Sequence, residues 1–396
     1  METEKSNLTW INFLHIYQPV NTDAHIIKEA TDKSYTRIVR ALESNAHIKF
    51  TINISGCLFL RWEEMGYEDL IKRIGKLVKK GQIDLTGTAA YHPLLPLVPG
   101  KEVIKQIKEN EAILKKHFGK SFKPRGFFMP ELAYSPGVAK LVAELGYKWL
   151  LMDEIAVTGQ VGEADFDKVY LDKNSDLKVV IRSRKLSNSY VPETIVKILK
   201  KKLDKDRLVI TATDGELYGL RHIDHTAVFE NLLKQKNFNT ITISEFIKSK
   251  SDYTPIKPLF HSWATTEEEI KKKEPFNLWQ EKTNVVQNKL WDFARLAYNT
   301  IEDNHDDPNY NWARWHLVRG LASCTFWWAS AKDFRLYGPI SWSPDEIERG
   351  INELVRSVRA LEKEETREVK MKAEKQWIAI KKMVWERHWI YYWKKT

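Results

Sequence analysis

Short apolar runs of strand length alternate with amphipathic segments of helix length through the first 255 residues of this 396-residue chain. The apolar runs are Leu8–Leu14, Ile48–Ile54, Ile83–Thr86, Gly126–Met129, Trp149–Met152, Leu177–Ile181, Leu208–Ala212 and Thr240–Ile243. Alternating strands and helices form parallel sheets with crossover helices, and seven or eight such units in about 250 residues fit a β/α barrel. An open doubly wound sheet is the competing layout. No G-x-G-x-x-G opens a helix after the first run, so a dinucleotide site is not supported.

The distribution of tryptophan marks a domain boundary near residue 255. Only three of the 15 tryptophans precede it, and the segment 251–262 contains two prolines. Beyond the boundary the patterning is helical, over Gln280–Glu302, Trp312–Lys332 and Pro344–Ile380. We therefore expect a β/α domain over residues 1–255 and a helical, Trp-rich domain over residues 256–396, packed on the first.

Charge and cysteine content exclude several classes of protein. The chain has 63 Lys and Arg against 53 Asp and Glu, a net charge of +10, but the excess is diffuse. Nucleic-acid binding requires a basic stripe or a recognition motif, and the sequence has neither. Two cysteines are too few for a disulfide framework or a zinc ribbon. The sequence shows neither a secretory signal nor an apolar run of membrane-spanning length, which predicts a cytoplasmic protein without membrane contact.

Polar and titratable residues recur just after the predicted strands, and in a β/α barrel that edge forms the active-site face. These residues include His15, Tyr17, Gln18, His92, Glu131, Asp214 and Glu216. Loops that follow strands are polar in any barrel, which explains each segment taken singly. The general polarity of loops explains less well why a carboxylate directly follows a hydrophobic strand and a proline.

Two carboxylates, Glu131 and Asp214, are the strongest catalytic candidates. Glu131 follows GFFMP, where Pro130 fixes the backbone at the end of the strand, and Asp214 follows VITAT. Two carboxylates that face each other across a barrel mouth act as nucleophile and acid/base on a glycosidic bond. The alternative is a helix N-cap for Asp214 and a surface ion pair for Glu131.

Tryptophans and histidines add further candidates. Trp263, Trp327 and Trp328 offer indole faces on which sugar rings stack, although most tryptophans of a helical domain are core residues. His222 and His225, in RHIDH, together with Asp214 imitate a metal-binding set. Such closely spaced histidines are more often surface groups or substrate contacts, so we expect neither a metal nor a cofactor.

Five short segments in chain order resemble the motifs of glycoside hydrolase family 57. They are His15-Ile-Tyr17-Gln18-Pro19, Gly81–Asp84, Phe128–Ala133, Asp214–Gly219 and Cys324–Asp333. Tyr17 stands where the family has a second histidine, Asp84 is one methylene shorter than the family's glutamate, and Asp333 is displaced within the aromatic fifth motif. The order and spacing of the segments together make the resemblance specific.

The resemblance implies an incomplete seven-stranded β/α barrel with a C-terminal helical domain. It also implies retaining chemistry on α-glucans or maltooligosaccharides, with Glu131 as nucleophile, Asp214 as general acid/base and no metal in the catalytic step. His15 and Gln18 would bind the sugar at the cleavage point, and Asp84 would orient that sugar or the nucleophile. The full set of predicted substrate-binding residues is His15, Tyr17, Gln18, Asp84, His92, Glu216, Trp263, Trp328 and Asp333.

Four functions are compatible with these residues. An α-amylase-like hydrolase and a 4-α-glucanotransferase share the covalent intermediate and differ in whether water or a sugar resolves it. A metal-dependent carbohydrate deacetylase would use Asp214 and the histidines, and a catalytically silent glucan-binding homologue would use neither carboxylate. The presence of both carboxylates favours the first two. The sequence does not indicate an oligomeric state.

Overall fold

The computed structural model describes residues 8–201, 205–332 and 341–393. The strands are β1 (Leu8–Ile16), β2 (Phe50–Ile54), β3 (Ile83–Leu85), β4 (Gly126–Phe127), β5 (Trp149–Asp153), β6 (Tyr170–Asp172), β7 (Lys178–Arg182), β8 (Arg207–Asp214), β9 (Asn239–Thr240) and β10 (Thr254–Ile256). The α-helices are α1 (Ala24–Ala30), α2 (Thr36–Glu43), α3 (Gly56–Glu64), α4 (Glu68–Lys79), α5 (Gly100–Phe118), α6 (Pro136–Glu144), α7 (Ile155–Thr158), α8 (Arg184–Ser187), α9 (Val191–Leu199), α10 (Val228–Leu233), α11 (Ile243–Lys248), α12 (Glu267–Lys272), α13 (Val285–Asp303), α14 (Tyr310–Gly320), α15 (Ser323–Trp327), α16 (Pro344–Arg359) and α17 (Arg367–Trp393). A π-helical segment, Thr31–Tyr35, joins α1 to α2.

The chain divides into two compact units. The first comprises Met1–Ala90 and Leu95–Lys271, and the second comprises Tyr91–Leu94 and Lys272–Thr396. The first unit continues past the boundary expected at residue 255, because β10 pairs with β6 inside it. The short segment 91–94 joins the helical unit through a bridge between Pro93 and Ala322.

Seven parallel strands form the barrel of the first unit, as the resemblance implied. Their order is β1-β2-β3-β4-β5-β7-β8, with β8 pairing back to β1. Gly87 bridges to Phe127 where β3 meets β4, and a hydrogen bond of 2.9 Å from Ser183 N to Ile210 O crosses from the end of β7 to β8. Gly126 is required in β4, because a Cβ there would collide with the Trp149 ring. Strands β6 and β10, each three residues long, were not predicted.

Alternate residues of the barrel strands face two hydrophobic cores. Inside the barrel lie Ile11, Phe13, Phe128, Leu151, Val180 and Ile210, among others. The opposite faces of β1 and β2 pack on the surrounding helices through residues such as Trp10, Leu14 and Ile52. The interior core packs beneath the carboxyl ends of the strands, and polar side chains occupy those ends.

The second unit is helical, as predicted, and its core lies between α13, α14, α16 and α17. The predicted long helix Pro344–Ile380 is two helices in the structure, and Asp307 accepts hydrogen bonds from the backbone N–H groups of Glu362 and Lys363 in the connection between them. Across the described ranges, none of the helices combines the length and the apolar character that crossing a membrane demands.

Candidate active site

A polar side chain stands at or just beyond the carboxyl end of each barrel strand. In chain order these residues are His15, Asn53, Thr86, Glu131, Asp153, Arg182 and Asp214. Parallel barrel strands present their carboxyl ends at one face, where the catalytic groups of β/α barrels are found. We therefore define this set as the candidate active site and describe its members in turn.

Glu131 is held in an uncommon backbone conformation directly after Pro130. Its φ is 62° and its ψ is 15°, in the left-handed region, which costs a non-glycine residue about 1–3 kcal/mol and is concentrated at functional sites. Two hydrogen bonds from Trp263 hold it there. The Trp263 backbone N–H donates to the Glu131 carbonyl over 3.0 Å, and the indole Nε1–H donates to the carboxyl Oε2 over 2.9 Å. The orientation of the carboxyl group is therefore fixed.

The segment 259–265 carries Trp263 to this position. His261 accepts a backbone hydrogen bond of 2.8 Å from Tyr134, and the buried guanidinium of Arg182 lies 5.6 Å from the centre of the Trp263 ring. Arg182 in turn donates to Asp153 Oδ2 and to the Ala212 carbonyl, both at 2.8 Å. We expect the indole to be rigid, because cation–π and hydrogen-bond contacts hold both its ring and its backbone.

His15 connects the environments of the two candidate carboxylates. Its ring stacks on Phe128 with centroids 4.6 Å apart and meets the edge of Trp263 at 6.0 Å. Nδ1 lies 2.8 Å from Asn53 Oδ1, and His15 pairs in register with Asp214 of β8. Burial lowers the pKa of His15, although the charge of Asp214 opposes that shift. The imidazole is therefore neutral at pH 7 and ready to donate or accept a hydrogen bond.

Asp214 ends β8 and its side chain reaches solvent. It is 25% exposed, and its Oδ2 accepts a hydrogen bond of 2.9 Å from Arg221 Nη1. The contacts run from Glu131 to Trp263, from Trp263 to His15, and from His15 to the strand position beside Asp214. Glu131 and Asp214, 83 residues apart in the sequence, thus both stand at the carboxyl ends of barrel strands, one after β4 and one at the end of β8.

Glu216 was predicted to contact the sugar, but the structure gives it a buried, supporting position. Gln18 Nε2 donates to its Oε1 over 2.8 Å, and the Tyr35 hydroxyl donates to the same oxygen. Burial and the charge of Asp214 raise the pKa of Glu216 to about 7. Glu216 therefore holds the Gln18 amide in place, and its contact with the sugar stays a prediction. Tyr17 is also buried, and its ring stacks on His15 at 5.8 Å.

The raised pKa of Glu216 gives a testable pH dependence of stability. Its pKa of about 7 in the folded protein exceeds the ordinary value of 4.5, so its contribution to stability is complete below pH 4.5 and is lost as the pH rises through 7. The full loss is about 3 kcal/mol. Glu216→Gln accepts the same two hydrogen bonds and cannot ionise.

We therefore expect Glu216→Gln to gain stability relative to the native protein by up to about 3 kcal/mol between pH 4.5 and pH 8. Urea unfolding at the two pH values measures the difference. Parallel pH dependence in the two proteins would show that Glu216 is ionised at neutral pH.

Asp84 lies in β3, and its predicted place beside the sugar or the nucleophile stays a prediction. It pairs in register with Thr51, two residues before the Asn53 that bonds His15. Burial raises its pKa, and hydrogen bonds from Ser244 of α11 oppose that shift. Asp84 therefore contacts Ser244 in the first turn of α11, whose N-cap is Thr242.

Three predicted substrate contacts fall outside the first unit or outside the described residues. His92 and Trp328 belong to the second unit, where His92 Nδ1 lies 3.1 Å from Ser323 Oγ and Trp328 packs edge-on against Trp327. Asp333 lies outside the described residues. A role for these three residues in binding sugar stays a prediction.

The sequence did not identify Asn53, Thr86 and Arg182 of the site, or Arg221 and Tyr35, which contact its residues. Arg182 had a usable signal, because a charged residue that ends the apolar run KVVIR is costly to bury without a function. Tyr35 had none, since it lies in the π-helical segment and meets Glu216 from 181 residues away. Among the described residues, no group of three or more His, Cys, Asp or Glu side chains is placed to hold a metal ion.

Residues 4–257 match the family model of Glycosyl hydrolase family 57. Alpha-amylase 1 of Dictyoglomus thermophilum is 25% identical over 324 residues, which cover 74% of this chain and 46% of that protein. The alpha-amylase of Pyrococcus horikoshii is 25% identical over 329 residues, covering 74% and 51%. The crystal structure of 4-alpha-glucanotransferase from Thermococcus litoralis superposes with a TM-score of 0.71 at 17% identity, covering 91% of this chain and 61% of that one.

A barrel with a carboxylate-bearing mouth and a family model that covers most of the chain define the class. The chain belongs to glycosyl hydrolase family 57. It spans about half the length of the curated relatives that it matches.

Proposed function

We propose that this protein is a retaining α-glucan hydrolase in which Glu131 is the nucleophile and Asp214 is the general acid/base. The main support is that Trp263 donates a hydrogen bond to Glu131 and packs edge-on against His15, which is the register partner of Asp214 in the neighbouring strand. The names of the relatives support the substrate class, since they include alpha-amylases. The chemistry is a double displacement, in which two carboxyl groups act on one glycosidic bond.

In the first step the Glu131 carboxylate attacks the anomeric carbon, and the bond to the glycosidic oxygen breaks. Asp214 gives its proton to that oxygen, which leaves as the hydroxyl of the departing chain. The hydrogen bond from Trp263 Nε1 fixes the attacking carboxyl group, which reduces the entropy lost in reaching the transition state. The neutral His15 and the Gln18 amide lie beside the reacting sugar in this proposal.

In the second step Asp214, now a carboxylate, takes a proton from water as the water oxygen attacks the anomeric carbon. The bond to Glu131 breaks, and the sugar leaves with its original anomeric configuration. The Arg221 guanidinium, 2.9 Å from Asp214 Oδ2, holds that carboxyl group in position for the proton transfer.

A 4-α-glucanotransferase is the second candidate and uses the same residues, with a sugar hydroxyl in place of water. The deacetylase alternative is not proposed, because the described residues assemble no metal-binding donor set. The silent homologue is disfavoured because both carboxylates lie at the site. The cytoplasmic location expected from the sequence stays a prediction.

Incubation with maltoheptaose, followed by sizing of the products, tests the proposal. We expect shorter products only, and the first reducing ends released are expected as α-anomers by proton NMR. A ladder that extends above seven glucose units would identify the transferase instead. Release of β-anomers, or no reaction with any maltooligosaccharide, would contradict both candidates, and a parallel incubation with EDTA should leave the rate unchanged.

A further inference from the structure

The loop of residues 219–227, between the turn after Asp214 and helix α10, carries the RHIDH sequence. We propose that Arg221 and His222 of this loop, together with Tyr190, form the binding site for the sugar on the leaving-group side of the cleavage point. The same site would hold the acceptor sugar in a transfer reaction. This inference rests on the proposed function, because it takes Asp214 as the acid/base.

The position of Arg221 beside Asp214 is the first support. A general acid must lie within about 2.6–3.2 Å of the oxygen that it protonates, and Arg221 Nη1 is 2.9 Å from Asp214 Oδ2. Two groups that bond to one carboxyl group are neighbours, so the guanidinium lies close to the sugar attached to the leaving oxygen. The Arg221 side chain is 57% exposed and has five N–H donors, which suit the hydroxyl groups of a sugar.

A stacked pair of rings beside Arg221 is the second support. The His222 imidazole lies on the Tyr190 phenol ring, with centroids 3.8 Å apart and planes 23° from parallel. His222 directly follows Arg221 in the chain and remains 36% exposed, so the pair presents a flat aromatic surface in the same loop as a cationic donor. The C–H face of a pyranose ring packs on such a surface while its hydroxyl groups reach the surrounding donors.

The loop is held in place by a charged network, which is the third support. The Tyr190 hydroxyl donates to Asp224 Oδ2 over 2.9 Å, and Arg37 Nη2 donates to the same oxygen over 2.7 Å. Asp224 also accepts the backbone N–H groups of Val228 and Phe229. These donors hold the pKa of Asp224 well below its usual range, although its burial opposes them.

The start of the loop is fixed by close packing as well. A Cβ at Gly219 would collide with the Lys33 carbonyl oxygen, so the chain passes the π-helical segment at a distance that only glycine permits. A binding surface that is already ordered loses little conformational entropy when its ligand binds. The loop is therefore suited to hold a sugar rather than to close over one.

Kinetics of His222→Ala test the inference with two kinds of donor. Maltoheptaose places a sugar on the leaving-group side, whereas α-maltotriosyl fluoride releases fluoride and leaves that side to solvent. We expect the variant to raise KM for maltoheptaose by about threefold to tenfold, and to raise by a similar factor the maltose concentration that half-saturates transfer from the fluoride. Hydrolysis of the fluoride itself should change by less than about twofold.

His225→Ala is the matched control, because His225 is an exposed histidine of the same loop, and it should behave as the native protein on every substrate. Unchanged constants for maltoheptaose and maltose in His222→Ala would overturn the inference. Equal losses on maltoheptaose and on the fluoride would also overturn it, since they indicate damage to the catalytic groups.

Calorimetric titration of the Glu131→Gln protein with maltotriose gives a readout that does not depend on turnover. Adding His222→Ala to that background should weaken maltotriose binding by about threefold to tenfold, and undiminished affinity would count against the site. If the proposed function itself is wrong, the result is different: the native protein and Glu131→Gln will act equally on maltoheptaose and on α-maltotriosyl fluoride.

Discussion

Glu131→Gln is expected to lower kcat for α-glucan cleavage by about 10⁴-fold or more, because an amide oxygen cannot form the covalent bond to the anomeric carbon. The fold should tolerate the change. The amide oxygen of the substituted side chain can accept the hydrogen bond that Trp263 Nε1 gives to the native carboxylate, and the backbone conformation is set by Pro130 and the Trp263 N–H. Reducing-sugar release from maltoheptaose and thermal unfolding measure the two effects.

Glu163→Gln is the matched control, since Glu163 is an exposed glutamate of the same unit and its replacement should leave the rate unchanged. A further test replaces Glu131 with Ala and adds sodium azide. Azide can attack the anomeric carbon in place of the missing carboxylate, and it should yield a glycosyl azide of inverted configuration. Near-native turnover by Glu131→Gln would remove this residue from the mechanism.

Asp214→Asn should separate the two roles of the acid/base. The loss of general acid catalysis is expected to lower maltoheptaose cleavage by about 10²–10⁴-fold, because the leaving sugar needs a proton. Fluoride leaves with far less help, so α-maltotriosyl fluoride should still react with Glu131. The second step then slows, since an amide cannot activate water, and the glycosyl-enzyme should accumulate.

Mass spectrometry of the quenched Asp214→Asn protein should find one maltotriosyl group on the peptide that contains Glu131. Adding azide should speed turnover of the fluoride by the variant, because azide needs no base. Equal losses on maltoheptaose and on the fluoride, without a labelled peptide, would show that Asp214 supports the fold of the site rather than proton transfer.

The sequence predicted the barrel well because its signals are local. Each of the seven barrel strands lies within or overlaps an apolar run, and Pro130 and Gly215 mark two of the turns at the carboxyl edge. The predictions of parallel pairing and of a helical second unit followed from the same periodicity. Strands β6 and β10 gave no comparable signal, since charged residues flank the apolar positions of β6 and a proline lies inside β10.

Asp84 and Glu216 show where the residue pattern was insufficient. Asp84 lies two positions before Thr86 and on the same face of the strand, because alternate residues share a face, and its hydrogen-bond partner is Ser244 of α11. Glu216 follows Asp214 by two residues, yet the turn over Gly215–Tyr218 directs its side chain to Gln18 and Tyr35. Both outcomes depend on partners distant in the chain, which a motif does not specify.

Trp263 lies six residues beyond the last position that the family model covers. A shortened protein that stops at residue 257 would retain every strand of the barrel and both carboxylates, yet it would lack the indole that holds Oε2 of Glu131. The site that we propose therefore extends beyond the residues matched by the family model, and a shortened version that keeps it must continue at least through Thr265, whose carbonyl oxygen Arg184 binds.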